Sequence, residues 1–576
     1  MKFVNVLFVV LLYCTHLSAQ VTLPNNLYFT HIGVEDGLCQ NTVCCILQDH
    51  LGFIWLGTKD GLTRYDGYRF RVFKHDAADP MSIGNNFIRV LYEDADGLIW
   101  IGTNVGVYIY NPETENFRKF DVATERGDVI SREVSSIKCD SSGDLWIGVN
   151  WQGVFRYDRR DESLELYEPV PGDTTSLSSV HVWDLCFDGD GNLWVGSQNG
   201  GLDRYDRETD RFVRHRLKGL SDVSRIVLDK QNQLLLGTMK DGLFSFNPYM
   251  GTCQPLLLDS GHKDLFVRAI FVRNSREVVV GTENGIYIYD CVTRKTRHVN
   301  QELGNPYSLS CKAVYSIYCD KEGALWIGTY FGGVNYLPPS SSLIFDKFYP
   351  IGHSDRLSGK AVREFVRDES GIIWIGTEDQ GLNRFDPVSG KFTHYNSRNR
   401  GISCDNVHGL CVDGDRLYIG TFFGGFNIMD LKTNEIVALG SQMLPDDSVF
   451  SIFRDHDGRI WVGLTYGLCL FHPEDGSFEL VREIPENLFI YDIYQGDDGI
   501  IYFAAYNRGV ITYNPHTGKW GQVESGDEGL LKHVVSINED SAFHIWFGTE
   551  GRGAVRYTPS SGIRPGTDSR TMSCIK

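Results

Sequence analysis

The fold can be read from one stretch, Asp188-Gly189-Asp190-Gly191-Asn192-Leu193-Trp194-Val195-Gly196-Ser197. Just before it, Val182–Phe187 is an apolar-rich run that reads as a strand. The Asp and Gly residues at 188–191 predict a tight turn. Asp side chains bond nearby backbone N–H groups, and Gly adopts positive φ without strain. Leu193–Gly196 reads as a second strand, Asn199-Gly200 as a turn, and Leu202–Tyr205 as a third strand. Arg211–His215 alternates polar and apolar residues, as a half-buried strand does. Four short antiparallel strands in succession predict one propeller blade.

The pattern recurs along the chain. Trp55, Trp100, Trp146, Trp194, Trp326, Trp374, Trp461 and Trp546 each have an Asp six residues before and a Gly two residues after. Weaker copies place Leu235, Val279, Tyr418 and Tyr502 in the Trp position, making twelve copies 41 to 48 residues apart. Self-similarity at this period marks a solenoid, propeller or array. Helical periodicity is absent, so the expected class is all-β, with tandem propellers of four-stranded blades. The repeated Trp is expected to pack between blades.

Gly143–Asp158, Gly191–Asp206 and Gly371–Asp386 follow the pattern D-x-x-G-x-(I/L)-W-(I/V/L)-G-T and then G-(L/V)-x-R-Y-D. Asp79-Pro80-Met81-Ser82-Ile83 and Asn305–Ser310 supply linkers of one type. These residues resemble the two-component regulator propeller repeat, over about Leu27 to Tyr557. The resemblance implies the periplasmic sensor region of hybrid two-component systems in Bacteroides-like bacteria. It implies two seven-bladed propellers, then an immunoglobulin-like domain, a membrane helix and a kinase. It also implies an oligosaccharide ligand.

The copy count departs from that plan. Residues 21–338 are expected to form a complete seven-bladed propeller. Residues 339–557 hold about five blades, and 558–576 read as an irregular tail. Leu27–His31 resembles a fourth strand and could close a ring. We expect a sensor chain lacking its own kinase, shortened relative to its family. An open five-bladed arc would expose strand edges, so limited proteolysis is expected to degrade the C-terminal half first.

Residues 1–20 read as a secretory signal peptide: a basic start, the apolar run Phe3–Tyr13, and small residues at Ser18-Ala19. No later stretch approaches the ~20 apolar residues of a membrane helix, which points to an exported, periplasmic chain without a span. A 42% apolar content with 12% aromatics excludes disorder. A net charge of −19 argues against nucleic-acid binding. The cysteines have no CxxC spacing, and no metal, cofactor or catalytic residue is expected. Cys139, Cys186, Cys319 and Cys411 read as small buried hydrophobes.

Candidate binding residues emerge by comparing copies. The position after the first apolar anchor of each inner strand holds Arg89, Trp183, Arg268, Tyr315, Arg363, His408, Phe450 and Tyr491. Arg donates paired hydrogen bonds to oxyanions and hydroxyls, and aromatic rings offer flat apolar faces to sugars. The alternative is a channel plug salt-bridged to acids such as Glu364 or Asp184. The loop between second and third strands adds Trp151, Tyr330, Phe331, Phe422 and Phe423, either for ligand or for an interface between propellers. The chain thus reads as an oligosaccharide-sensing module working as a homodimer or with a separate kinase-bearing partner. Rival readings are a protein-interaction scaffold and a lyase- or sialidase-like propeller enzyme.

Overall fold

The computed structural model describes residues 22–575 except 25, 216, 218–219, 221, 258–264, 340–346, 349–355, 440–443, 486, 526–528 and 560–572. The proposed signal segment therefore lies outside the described residues, as does most of the tail. The described chain forms twelve four-stranded antiparallel sheets, eleven of them meanders of consecutive strands and one completed by a strand from the N-terminal end. They fall into two compact units, Met1–Lys347 and Phe348–Lys576, with seven and five sheets respectively.

Blade 4 shows why the repeat folds this way. Its strands are Val182–Phe187, Leu193–Ser197, Gly201–Asp206 and Arg211–His215. The second strand is buried along its whole length, because neighbouring blades cover both of its faces. Hence Leu-Trp-Val-Gly-Ser has no polar alternation. The outermost strand keeps only Phe212 buried and turns its flanking residues outward.

The six-residue Asp-to-Trp spacing has a direct cause. In all eight Trp copies the indole Nε1 donates to the Asp Oδ2 at 2.7–3.1 Å. The other carboxylate oxygen accepts turn N–H groups; Asp188 Oδ1 takes those of Asp190 and Asn192. One side chain thus closes the hairpin and satisfies the only polar atom of a buried indole.

The repeated glycine answers a different need. A Cβ on Gly102 would lie 2.6 Å from Val134 Cγ1 of the next blade, and one on Gly57 2.6 Å from Ile88 Cγ2. Each glycine is a socket for the first anchor of the following inner strand. In the first unit this runs full circle. Gly328 of blade 7 meets Val43 of blade 1 at 2.8 Å on the same measure. Thr30–Ile32 completes blade 7 by pairing with Val334–Leu337, so the chain's first strand latches the ring.

In the second unit the series has two unmatched ends. Val362 and Phe365, the anchors of the first blade there, are 46% and 70% exposed, where equivalents such as Val182 and Leu185 are buried. Beyond its own backbone neighbours, Gly548 faces only Ser536 of its own blade. The sequence left 558–576 without a strand, yet Ser573–Ile575 pairs with Gly553–Tyr557 as a fourth strand. Three residues can join a ladder through backbone alone, which leaves no side-chain alternation to read.

Among the described residues, no helix is long and apolar enough to cross a membrane. The described cysteines are free; Cys186 and Cys411 are buried, Cys139 and Cys319 partly so.

Candidate functional site

Every residue at the position singled out after the first anchor is the extra residue of a β-bulge. The ladder register shifts there in each inner strand, for example between Val182 and Asp184 and between Val449 and Ser451. Bulges break the period-2 alternation and re-aim a side chain. They bring Arg89, Arg268, Tyr315, Arg363, His408 and Tyr491 against residues in or beside the second-to-third-strand loops.

In the second unit this arrangement builds a continuous aromatic shelf. Phe423 packs on Phe422 with ring centroids 4.1 Å apart, and Phe422 lies 5.7 Å from His408. His408 stacks against Phe450 at 4.2 Å, and Phe450 reaches Tyr491 at 4.6 Å. Phe489 joins both Phe450 and Tyr491, and Tyr506 continues the run at 5.2 Å from Tyr491. Beside the shelf lies a cavity of about 520 Å³, lined by Phe422, Phe423, Phe489, Tyr466 and Tyr506 with Asp446, Asp447 and Arg508 on its polar side. Thr465 Oγ1 donates to Asp446, which fixes that carboxylate at the rim.

His408 is neutral at ordinary pH, because burial, reinforced by the nearby Arg363 charge, lowers its pKa to about 4. It therefore works as a ring in the shelf rather than as a cation. Arg363 pairs with Glu378 and does not line the cavity.

Phe423 is also conformationally unusual, with φ +69°. Bulky residues avoid the left-handed region, and holding one there costs on the order of 1 kcal/mol or more. At the same loop position, Asn199 and Asn507 adopt φ +59° and +66°, a residue type that tolerates the conformation. Phe423 nonetheless exposes 70% of its surface, so its ring is not held there by burial.

The first unit collects a different set. Arg89 lies over Phe87 at 4.3 Å, and Lys59 lies over Tyr330 at 4.1 Å and bonds its hydroxyl at 2.9 Å. Tyr330 contacts Tyr315 and Phe331. Arg268 sits over Phe266 at 3.8 Å and Tyr315 at 4.6 Å, and Trp183 approaches Phe266 edge-on. Trp151 stands apart: it is 66% exposed, touches His181, and has φ +70°.

The proposed acid partners were the wrong ones. Arg89 pairs with Glu133 at 2.7 Å, Arg268 with Glu283 at 2.5 Å, and Arg363 with Glu378, not with Asp184 or Glu364. Sequence reading also missed Phe489, Asp446 and Asp447 as site residues. Asp446 and Asp447 lie in the linker ahead of an inner strand, outside the repeat register, whereas Phe489 opens the strand Phe489–Gln495 at the place Phe87 and Phe266 hold in other blades, where a comparison of copies finds it.

The architecture is that of a tandem β-propeller protein. The two-component regulator propeller family model matches residues 37–60, 82–105, 176–199, 308–331 and 443–466, so the chain carries two-component regulator propeller repeats. Among solved structures, it is similar to the extracellular domain assigned to a hybrid two-component system of Bacteroides thetaiotaomicron. The identity is 22% and the TM-score 0.53, with 91% of this chain and 82% of that chain covered. Another such domain from the same species shows 19% identity and a TM-score of 0.48 over 96% of this chain and 78% of that one. Among curated proteins, histidine kinase P4 of Formosa agariphila is 39% identical over 59 residues, which is 10% of this chain and 4% of that protein.

Proposed function

We propose that the chain is the exported, periplasmic ligand-sensing module of a two-component regulatory system, and that an oligosaccharide binds along the aromatic shelf of the second unit. The signal then passes through a kinase-bearing partner or a dimer. The observation that carries the reading is the unbroken run from Phe423 to Tyr506 beside an open cavity of about 520 Å³. Stacked rings give sugar faces an apolar platform, and Asp446, Asp447 and Arg508 supply hydrogen-bond partners for hydroxyls. The volume falls in the range of small-molecule sites. The repeats support a place in a two-component system.

Phe423→Asn provides the test. It keeps the left-handed backbone and removes the ring. Once a glycan array has identified an oligosaccharide, calorimetry on the variant should show at least tenfold weaker binding. Thermal stability should be unchanged or slightly higher, because strain of about 1 kcal/mol is released. Binding equal to wild type in a folded Phe423→Asn protein would show that the shelf is not the ligand site.

A further inference from the structure

The first unit carries a feature that oligosaccharide binding in the second does not use. Arg225 follows the bulge of blade 5 and donates Nε to the Arg268 carbonyl at 2.7 Å and a second N–H to the Ser224 carbonyl at 2.9 Å. Among the described residues it has no carboxylate within ion-pairing distance. The acid that acts on it most is Asp184. The Asp184 oxygens are already occupied by Ser136 Oγ and the N–H groups of Leu185 and Ile226. Desolvation is the main influence on Arg225 and lowers its pKa below the ordinary arginine value.

Its surroundings are rich in cations. Lys59, Arg89, Arg225 and Arg268 all act on the Cys44 thiol, which burial nevertheless pushes up to about 11. Against these four cations stand Glu133, Glu283 and Asp184. Glu133 and Glu283 are taken up by Arg89 and Arg268, so among the described residues Lys59 and Arg225 have no carboxylate within ion-pairing distance, inside a chain whose net charge is −19. A donor without an acceptor belongs to the same cluster, since Trp183 meets Phe266, over which Arg268 sits, and Arg225 bonds the Arg268 carbonyl. The indole N–H of Trp183, next to Asp184 in sequence, is buried with no hydrogen-bond partner. Both groups are donors: the indole N–H lacks an acceptor, and the guanidinium, bonded only to the two carbonyls, lacks a counter-charge. A desolvated guanidinium without a counter-charge and a buried orphan N–H are each costly. An anion with two or more oxygens relieves both at once, and guanidinium binds such groups bidentately.

We propose that the channel of the first propeller is a receptor for a single oxyanion, a carboxylate or sulfate group, held by Arg225 and the Trp183 indole N–H beside Cys44. Arg89 and Arg268, anchored by Glu133 and Glu283, set the positive field around it without closing on it. The site lies in the other unit from the aromatic shelf and does not depend on the sugar reading.

The test titrates the full chain with sodium sulfate and, separately, sodium glucuronate, against sodium chloride at equal ionic strength. The readouts are calorimetry and tryptophan fluorescence. Stoichiometry matters here, because sulfate stabilises proteins generally by exclusion. One-site binding of sulfate alone identifies a free inorganic anion, and binding of glucuronate identifies an acidic sugar; either supports the proposal. Arg225→Gln should weaken binding at least tenfold. Trp183→Phe should weaken it several-fold and abolish most of the fluorescence change. No binding of either anion at millimolar concentration, or unchanged affinity in folded Arg225→Gln, overturns the proposal. If Arg225→Gln fails to fold, unchanged affinity in Trp183→Phe does so.

Discussion

Gly102→Ala should destabilise the first propeller by about 1–3 kcal/mol, the range overpacking causes, while Gly548→Ala should change the second by less than about 0.5 kcal/mol. The two glycines occupy the same register, two residues after a Trp. Neither has positive φ, so the backbone accepts alanine at both and the difference is steric. At Gly102 the new methyl would lie 2.5 Å from Val90 Cγ1 and 2.6 Å from Val134 Cγ1. Both neighbours are β-branched with restricted χ1, and Val134 is fully buried. Relief therefore requires moving one blade against the next in a closed ring. At Gly548 the methyl meets Ser536 Oγ at 2.2 Å and then nothing closer than 3.6 Å. A serine hydroxyl can rotate away. Hydrogen exchange on peptides from blades 2–3 and from blade 12 reads the two sites separately. Equal loss of protection at both would mean that the glycines are not blade sockets.

That contrast also marks how far the sequence could be read. Blade number, strand order and the Trp–Asp–Gly register are all visible in the repeat, because the same packing problem is solved twelve times and chemistry repeats with it. The aromatic shelf was partly visible for the same reason. His408, Phe422, Phe423, Phe450 and Tyr491 stand out where other copies carry different residues, and the structure brings them together. What was illegible falls where the repeat stops constraining the chain. Asp446 and Asp447 lie in a linker of variable length. The arginine partners were misassigned because a bulge at each of these positions interrupts the alternation by which one counts faces. Glu283 and Glu378 come instead from across the hairpin, at the start of the next loop. The missing counter-charge of Arg225 and the missing acceptor of the Trp183 indole are invisible in sequence altogether, since each consists of a partner that is absent.

Asp492→Asn should reverse its sign with pH, and this is the second large effect. Asp492 lies just after the bulge in blade 11, and its carboxyl accepts N–H groups from Ile493 at 2.8 Å and from Ile537 of the next blade at 2.7 Å. Asp184 makes the same staple in the first unit, with Arg225 nearby. Asp492 has an acid, Glu364, in that role. Burial, with a smaller push from Glu364, raises its pKa from 3.8 to about 7 despite the two N–H bonds. The folded state thus holds a proton that the unfolded chain has released. Stability is then unaffected below about pH 4, falls as pH rises from 4 to 7, and stays low above 7. Moving this carboxyl from 3.8 to about 7 corresponds to roughly 4 kcal/mol. Part of the side chain still meets solvent, so about 2 kcal/mol is the better expectation. Asparagine removes the titration but forfeits part of the staple, a loss of about 1 kcal/mol. The variant should therefore be slightly less stable than wild type at pH 4 and more stable at pH 8. Its stability curve should cross that of wild type between pH 4 and 7. His408 titrates in the opposite direction in the same window, since its lowered pKa costs stability as pH falls from 6.5 toward 4. That contribution is common to both proteins and cancels in the difference. Urea midpoints for the second unit at four or five pH values measure the crossing, and parallel curves would show that Asp492 is ionised in the fold.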